Sequence, residues 1–256
     1  MVSTELALIL VGLFLVAILY SSVGHGGGSG YLAVLSLTSY GTMEAGWLKQ
    51  HAWSLNLIVA GIAFWHYHRA GHHDAKLTLP FVAASVPFAV VGGYMRVEGG
   101  AYDVLLSIAL IWAAWRLLAV KEWGEAENEP PGFSGAAPVG GAIGLASGVV
   151  GVGGGIFLSP VIMLKKWAPP KATAATAALF IWFNSLAGLV GAGLSNQLDL
   201  EVGVLGPFAA VVLLGGLVGS RYGSEVASQT GVRRLLVVVL CVAAARRVLG
   251  LAGLWP

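Results

Sequence analysis

The chain has 256 residues, of which 57% are hydrophobic and only 10% charged, and its mean hydropathy is +0.82. Soluble domains carry roughly a quarter charged residues, so this composition excludes an ordinary soluble protein and predicts an integral membrane protein. The formal net charge of +2 says little about partners, and no nucleic-acid partner is expected. A single cysteine, Cys241, excludes an intramolecular disulfide and a cysteine-built metal site, and no cofactor or metal is expected.

Long uncharged runs without strand-like alternation predict spans that are helices rather than barrel strands. The first apolar segment, residues 6–20, has neither a basic leader nor a small-residue cleavage site, so we expect it to be retained and not removed as a signal peptide. The predicted spans are residues 51–67, 77–94, 102–120, 172–194, 202–221 and 235–255.

A glycine-rich stretch near the N-terminus has a second copy in the chain. The sequence VGHGGG at residues 23–28 aligns with VGVGGG at residues 150–155, a shift of 127 positions. The same shift aligns Pro-Phe at 80–81 with Pro-Phe at 207–208. This self-similarity predicts two related halves.

The boundaries of the two halves follow from this alignment. One added residue brings Asn56 onto Asn184. We predict a first repeat at residues 1–120, a second repeat at 138–256, and a cytoplasmic linker, rich in Glu and Pro, at 121–137.

Each half opens with two short apolar arms around its glycines. The arms are residues 6–20 and 31–39 in the first half, and 138–150 and 156–164 in the second. At 1.5 Å per residue the second arms reach only ~13 Å, too little to cross a hydrocarbon core of ~30 Å. Each pair of arms is therefore either a re-entrant hairpin or one long broken helix that crosses.

Loop charges favour the hairpin, because cytoplasmic loops collect Lys and Arg. Hairpins place ten of the fourteen Lys and Arg residues on one side, whereas crossing segments divide them eight to six. The N-terminus is then predicted to lie outside. The predicted fold is an all-α polytopic membrane protein with two inverted repeats, each a re-entrant or broken-helix hairpin followed by three transmembrane helices. In transporters of this architecture, the helix breaks mark the binding site.

The segments SSVGHGGGSGYLAVL, GLASGVVGVGGGIFLSPVIML and PKATAATAALFIWFNSLAGLVGAG resemble the TauE/SafE group of membrane permeases, also called the toluene-sulfonate uptake permease family. The resemblance implies transport, often export, of sulfite, sulfoacetate, taurine-derived acids or related organosulfonates across the cytoplasmic (inner) membrane. The first half departs from the pattern, with Ala33 where the second half has Pro160. Residues 49–51 (Lys-Gln-His) likewise stand roughly where residues 176–178 read Thr-Ala-Ala.

A glycine run between two apolar helices leaves main-chain N–H groups outside the helical hydrogen-bond ladder, which is costly in a membrane. N–H groups at a helix start suit an anion, and glycine lets an oxyanion approach the backbone closely. We expect the two glycine tips to face each other and to bind the substrate, although close packing of helices is the alternative for glycines. The predicted substrate-binding residues are Ser22, Gly24, His25, Gly26, Gly27, Gly28, Ser29, Asn56, Gly151, Gly153, Gly154, Gly155 and Asn184.

His25 lies in the first tip where the second tip has Val152. A protonated imidazole would favour an anion and couple transport to protons, while a neutral histidine bonded to the backbone is the alternative. His51, Arg116 and Arg246 are further candidates for entrance or coupling roles, although snorkelling to lipid headgroups explains the arginines equally well. Nearly all acidic residues fall in predicted loops or at span ends, so proton coupling would have to use histidine or the substrate.

The function predicted from these residues is a secondary transporter for a small sulfur-containing anion. An anion channel and a transporter of another small carboxylate or oxyanion are the alternatives. An enzyme is not expected, because the sequence lacks a Cys nucleophile at a helix start, an HExxH motif and paired carboxylates at membrane depth. The histidine-rich segment at residues 66–74 reads as a solvated turn or an adventitious metal binder. The expected partners are the small anion and the lipid bilayer, and a homo-oligomer is left open.

Overall fold

The computed structural model describes residues 4–95 and 129–228 and a few positions up to Val238. This part of the chain is helical, with a short 3-10 turn at Ser39–Thr42 and a π-helical turn at Tyr222–Val226. The predicted spans 102–120 and 235–255, with Arg116 and Arg246, lie outside the described residues apart from two positions of the last span. The helices are α1 (Thr4–Ser21), α2 (Gly28–Ser36), α3 (Ala45–Arg69), α4 (Ala75–Tyr94), α5 (Phe133–Val150), α6 (Gly155–Leu164), α7 (Pro170–Leu194) and α8 (Val202–Arg221).

Helices α1, α4, α5, α7 and α8 are long and apolar enough to cross a membrane. Three of these five helices, α4, α7 and α8, correspond to predicted spans, and the described part of the chain is all-α, as expected for a multi-pass membrane protein. Helix α3 has 25 residues and includes the predicted span 51–67, but its polar residues lower its mean hydropathy. Many of those polar side chains are buried inside the protein rather than facing lipid.

The first arm of each predicted hairpin is longer than the sequence suggested. Helices α1 and α5 each have 18 residues, which corresponds to ~27 Å and is enough to span a hydrocarbon core. The prediction of two short arms is therefore wrong for the first arm, because helical structure continues beyond the most apolar residues. Helix α5 begins at Phe133, inside the segment predicted as linker.

The second arm runs back along the first, as in the hairpin alternative. Gly30 of α2 lies against Val16 of α1, and Gly12 of α1 lies against Val34 of α2. The N–H of Ser39 then donates a 2.7 Å hydrogen bond to the Glu5 carboxylate at the start of α1. The chain thus returns to the end from which α1 began, first through the extended glycine stretch and then through the short helix α2.

A stripe of glycines holds α5 against α4. Gly140, Gly144 and Gly148, spaced by four residues, pack directly on backbone carbonyls of α4. A Cβ at Gly140 would lie 2.7 Å from the Phe81 carbonyl oxygen, so only glycine permits this approach. Small residues that let helix backbones approach are a common basis of packing in membranes.

The same arrangement holds α8 against α1. Gly215 and Gly219 of α8 pack on carbonyls of α1, and a Cβ at Gly215 would lie 2.6 Å from the Phe14 carbonyl oxygen. Gly223, in the π-helical turn, continues the stripe onto the carbonyl of Ser22. The 127-residue shift makes α8 the counterpart of α4. In each half the first arm, α1 or α5, therefore packs against a helix of the other half.

Helices α3 and α7 pack antiparallel at the centre of the molecule. Gly188 lies against the ring of Trp53, and Gly61 lies against the ring of Trp182. Near the middle of both helices, Asn56 Nδ2 donates to Ser185 Oγ at 3.3 Å. This antiparallel pair places the midpoints of the two halves side by side.

Substituting leucine for Gly144 should separate α4 from α5, since the added side chain would overlap the Ser85 backbone. We expect a loss of at least ~2 kcal/mol of stability, or failure to purify as a monodisperse protein. Gly206→Leu is the matched control, because nothing lies within 4 Å of a Cβ at Gly206. Thermal unfolding in detergent measures both, and equal melting temperatures for the two variants would contradict the packing account.

Candidate anion-binding site

The two half-helices begin where the two glycine tips meet. We call residues 22–28 the first tip and residues 151–155 the second tip. Gly27 and Gly154, the residues before α2 and α6, have φ values of 100° and 82°, a left-handed conformation that favours glycine. A Cβ at Gly28 would lie 3.2 Å from the Cα of Val152, so the tips contact each other as predicted.

Asn56, the twelfth residue of α3, lies between the two tips. Its side-chain nitrogen is 2.8 Å from the Cβ position of Gly28 and 2.9 Å from that of Gly153. The amide also packs against Gly26. Asn56 is completely buried, and its Oδ1 atom has no hydrogen-bond partner among the described residues. The predicted site residue is therefore at the junction, with a polar atom still available.

Ile181 is the structural counterpart of Asn56 in the second half. Its side chain lies 2.7 Å from the Cβ position of Gly153 and 2.6 Å from that of Gly155, the glycines of its own half. It also reaches to 3.0 Å from the Cβ position of Gly26. Asn56 makes the equivalent three contacts, with Gly26 and Gly28 of its own half and with Gly153 of the other half. One side of the junction is therefore polar and the other side is apolar.

A second pair of contacts gives the same correspondence between residues of α3 and α7. Gly24 packs on the backbone of Ala174, and Gly151 packs on Lys49. Helices α3 and α7 are thus related by 125 residues, although the tips are related by 127. The sequence pairing of Asn56 with Asn184 is wrong, because two fewer residues separate the second tip from its following helix.

The shift of 125 residues between α3 and α7 also shows that the sequence pairing of residues 49–51 with 176–178 is wrong. With a shift of 125, Lys49 corresponds to Ala174 and His51 corresponds to Thr176. Asn184 instead donates to the Phe180 carbonyl within α7 at 2.8 Å, and its Oδ1 is buried without a described partner.

The main-chain N–H groups at both helix starts have no acceptor among the residues that the structure describes. In the part of the chain that the structure describes, no acceptor takes a hydrogen bond from the N–H groups of residues 26–30 or 152–156. Nearly all of these residues are buried. A helix start leaves its first N–H groups without intrahelical partners, and burial makes each one costly. Two sets of donors therefore converge on one buried junction.

His25 bridges the two halves. Its Nε2 atom is joined to Ser159 Oγ of α6 by a 2.8 Å hydrogen bond. Both side chains are about 1% exposed, and His25 Nδ1 has no described partner. The imidazole is bonded to a side chain of the other half, which neither of the sequence alternatives anticipated.

Several more buried polar atoms near the tips lack described partners. Tyr31 OH lies 2.7 Å from the Cβ position of Gly27, and Ser147 lies beside Gly154. Unpaired buried groups are rare in proteins and call for a specific explanation. The unpaired atoms at and around the junction are His25 Nδ1, Tyr31 OH, Trp53 Nε1, Asn56 Oδ1, Ser147 Oγ and Asn184 Oδ1.

The serines of the first tip are already engaged. Ser22 Oγ donates to the Leu19 carbonyl at 2.6 Å, and the Ser22 carbonyl accepts from Tyr67 OH at 2.6 Å. Ser29 Oγ is bonded to Tyr20 OH at 3.0 Å. Neither hydroxyl is directed to the junction in this conformation, so main-chain groups supply most of the donors there.

Close packing also accounts for glycine at these positions. A Cβ at Gly27 would lie 2.6 Å from the Tyr31 ring, and one at Gly154 would lie 2.9 Å from the Phe180 ring. The two explanations offered by the sequence are therefore compatible here. Glycine permits the helix starts to meet, and the meeting concentrates the N–H donors.

The whole chain has relatives among known proteins. It matches the family described as "Sulfite exporter TauE/SafE" over residues 8–247. It is also 32% identical over 257 residues to a "Probable membrane transporter protein y4hK" of Sinorhizobium fredii, covering 98% of this chain and 99% of that protein. The chain belongs to the TauE/SafE family.

A second relative of this TauE/SafE protein is the "Probable membrane transporter protein YunE" of Bacillus subtilis. It is 27% identical over 191 residues, which cover 66% of this chain and 68% of the relative. No solved structure shows significant similarity to the chain. The predicted membership of the TauE/SafE family is confirmed by the family match and by the first relative.

His51 connects α3 to the segment before α8, at the end of the TauE/SafE bundle where α3 begins. Its Nδ1 atom is 2.8 Å from the Trp47 carbonyl, and its Nε2 accepts from the Glu201 N–H at 3.3 Å. The neighbouring Gln50 donates to the Gln197 carbonyl at 2.6 Å. Because His51 has partners on both ring nitrogens, it could act at an entrance only if these hydrogen bonds broke.

The histidine-rich segment joins α3 to the end of α8. His66 Nδ1 is 2.7 Å from Ser220 Oγ, and His72 Nε2 donates to the Ser224 carbonyl at 3.1 Å. Burial lowers the pKa of His72; the hydrogen bond to Ser224 opposes this shift, and the nearby charge of Lys171 adds to it. In the described residues these histidines are connectors between helices, and no group of three or more metal-ligating residues is present.

Sequence reasoning missed Ser159 and Ile181 as members of the junction. Ser159 precedes the noted Pro160, yet a lone serine in an apolar helix gives no signal of a partner in the other half. Ile181 becomes visible only through the two-residue change of register, which requires the contacts of the folded chain.

Substituting alanine for Ser159 should leave both nitrogens of the His25 ring without partners. We expect a stability loss of about 1–3 kcal/mol, the usual cost of an unpaired buried polar group. The control is Ser54→Ala, because among the described residues the Ser54 hydroxyl bonds only to the Gln50 carbonyl of its own helix. Melting temperatures are measured in detergent. If they fell equally for both variants, the hydrogen bond between His25 and Ser159 would contribute no more to stability than the bond of Ser54 within its own helix.

Proposed function

We propose that this protein is a secondary transporter that moves a small sulfur-containing anion, such as sulfite, sulfoacetate or a related organosulfonate, across the cytoplasmic membrane as an exporter. The observation that carries the proposal is that two buried helix starts meet beside Asn56, with N–H groups that have no acceptor among the described residues. Such donors favour an anion through both direct hydrogen bonds and the positive end of the helix dipole. The family's description as sulfite exporters supports this substrate class.

The groups around the junction differ in chemistry from one side to the other. Main-chain N–H groups reach the junction from two directions, which suits an oxyanion with several acceptor oxygens. Asn56 Nδ2 adds a neutral donor on one side, whereas Ile181 presents an apolar wall on the other. A sulfonate with a short carbon chain, or a pyramidal sulfite, matches this combination.

An inverted repeat supplies the mechanism in the proposal. The antiparallel pairing of α3 with α7 and the reciprocal packing of α1 on α8 and α5 on α4 support halves that insert with opposite orientation. Rocking of one half against the other would then open the junction to each side in turn. The junction is filled by Asn56 and Ile181 in this conformation, so a carrier accounts for it better than an open pore.

Further parts of the proposal concern placement and coupling. The N-terminus lies outside, in keeping with the distribution of Lys and Arg between the loops. His25, whose Nδ1 atom has no hydrogen-bond partner among the described residues, is the proposed proton-coupling group. The protein acts by transport and not by catalysis, with the small anion and the lipid bilayer as its partners.

Flux in proteoliposomes tests the proposal. Vesicles containing the purified protein should take up radiolabelled sulfite or sulfoacetate with saturable kinetics, and internal unlabelled substrate should accelerate uptake by counterflow. Unitary conductance without counterflow would indicate a channel instead. Flux of simple carboxylates alone would show that the substrate class is wrong.

Asn56 gives the most specific variant. Asn56→Leu keeps the volume of the side chain but removes the polar atoms, as Ile181 already does on the other side, and should lower substrate flux at least tenfold. Asn56→Asp keeps the shape and adds a negative charge, which should repel the anion and abolish flux near neutral pH. Ser54→Ala, two residues away on α3, is the control for folding and insertion. Full flux in correctly folded Asn56→Asp would contradict the site.

A further inference from the structure

The ring of Tyr31 lies over the start of the short helix α2. Tyr31 is the fourth residue of that helix, and its N–H donates to the Gly27 carbonyl at 2.9 Å. Side chains of a helix slant toward its N-terminus. The phenol group accordingly reaches back to Gly27, where its oxygen is 2.7 Å from the Cβ position of that glycine. The Tyr31 hydroxyl is therefore placed at the same helix start as the N–H groups of the first tip.

This hydroxyl is buried and has no partner in the described part of the chain. Tyr31 has 0% of its surface exposed, and its hydroxyl oxygen makes no hydrogen bond with a described residue. The buried hydroxyls of Tyr20 and Tyr67, in contrast, bond to Ser29 Oγ at 3.0 Å and to the Ser22 carbonyl at 2.6 Å. A buried hydroxyl without a hydrogen bond costs free energy, so its presence at a helix start requires a reason.

Gly27 connects this hydroxyl to the junction. Its two neighbours in the chain, Gly26 and Gly28, both lie against the side-chain amide of Asn56. Consecutive Cα atoms are only about 3.8 Å apart, so the Tyr31 hydroxyl and the Asn56 amide contact adjacent residues of the first tip. The start of α2 thus carries two side chains with a polar atom that has no described partner.

The second tip has a hydroxyl in a comparable place. Ser147, in the last turn of α5, has its Cβ 3.2 Å from the Cβ position of Gly154, the residue before α6. Ser147 is completely buried, and its Oγ makes no hydrogen bond with a described residue. Ser147 and Tyr31 are not related by the 127-residue shift. The two halves therefore place a hydroxyl beside their half-helices by means of different side chains.

We propose that the hydroxyls of Tyr31 and Ser147 are substrate-binding donors, one at each tip. Each hydroxyl completes the set of N–H donors at its helix start, so that an oxygen of sulfite or of a sulfonate accepts from both kinds of group. Hydrogen bonds to an anion are charge-assisted and stronger than those between neutral groups, so a bound anion offsets the cost of the buried hydroxyls. This inference rests on the proposed anion transport and adds two side chains that were not among the predicted site residues.

Removal of each hydroxyl separates binding from packing. Tyr31→Phe and Ser147→Ala each delete one oxygen atom and leave the remaining contacts nearly unchanged. Because neither hydroxyl has a described partner, the ligand-free melting temperature in detergent should equal or exceed that of the wild type. The Kd for sulfite and for sulfoacetate, measured by isothermal titration calorimetry, should rise about tenfold in each variant. Tyr94→Phe, at an exposed tyrosine, is the control and should change neither quantity.

The contradicting results separate this inference from the proposed function. A Kd within twofold of the wild type would overturn the role of the hydroxyl concerned and leave the proposed function intact. A lower ligand-free melting temperature would also overturn that role, because it would show that the hydroxyl already has a partner in the protein. A wild-type protein that binds neither sulfite nor sulfoacetate would overturn the proposed function, and this inference with it.

Discussion

Buried main-chain N–H groups, for which the described part of the chain holds no acceptor, lie where two half-helices begin, and the rest of the structure depends on this constraint. Residues 26–30 and 152–156 direct these donors into a region that holds no described acceptor for them. In a membrane protein such groups need a partner inside the protein or in a bound ligand. A bound anion would satisfy both helix starts at once, and this is the basis of the proposed anion transport.

The glycine contacts let the helices approach closely enough for the two tips to meet at this junction. Stripes on α5 and α8 bring these helices onto the carbonyls of α4 and α1, and the antiparallel pair α3 and α7 fills the space between. The two halves are thus held together by reciprocal backbone contacts that any larger residue would disturb. Against this common frame, the differences between halves stand out: Asn56 opposes Ile181, and His25 occupies the place of Val152.

Much of the architecture was predictable because it depends on local signals. Hydropathy located α4, α7 and α8 closely, and the repeated glycines located both tips. The lengths of α1 and α5 were underestimated, because small and polar residues at their starts continue the helix without an apolar signal. The pairing of Asn56 with Ile181 was not accessible, since the sequence comparison added one residue where the folded chain has two fewer, and neither side chain signals that change. The bond between His25 and Ser159 joins residues 134 positions apart, and only the fold brings them together.

The most direct test of the central claim is the position of a bound anion. A crystal structure with selenite, the selenium analogue of sulfite, would locate the ion by anomalous scattering at the selenium edge. The account predicts a selenium peak beside Asn56, with its oxygens within hydrogen-bond distance of N–H groups from both tips. A selenium site elsewhere in the protein, with the junction still filled by Asn56 and Ile181 at saturating selenite, would contradict it.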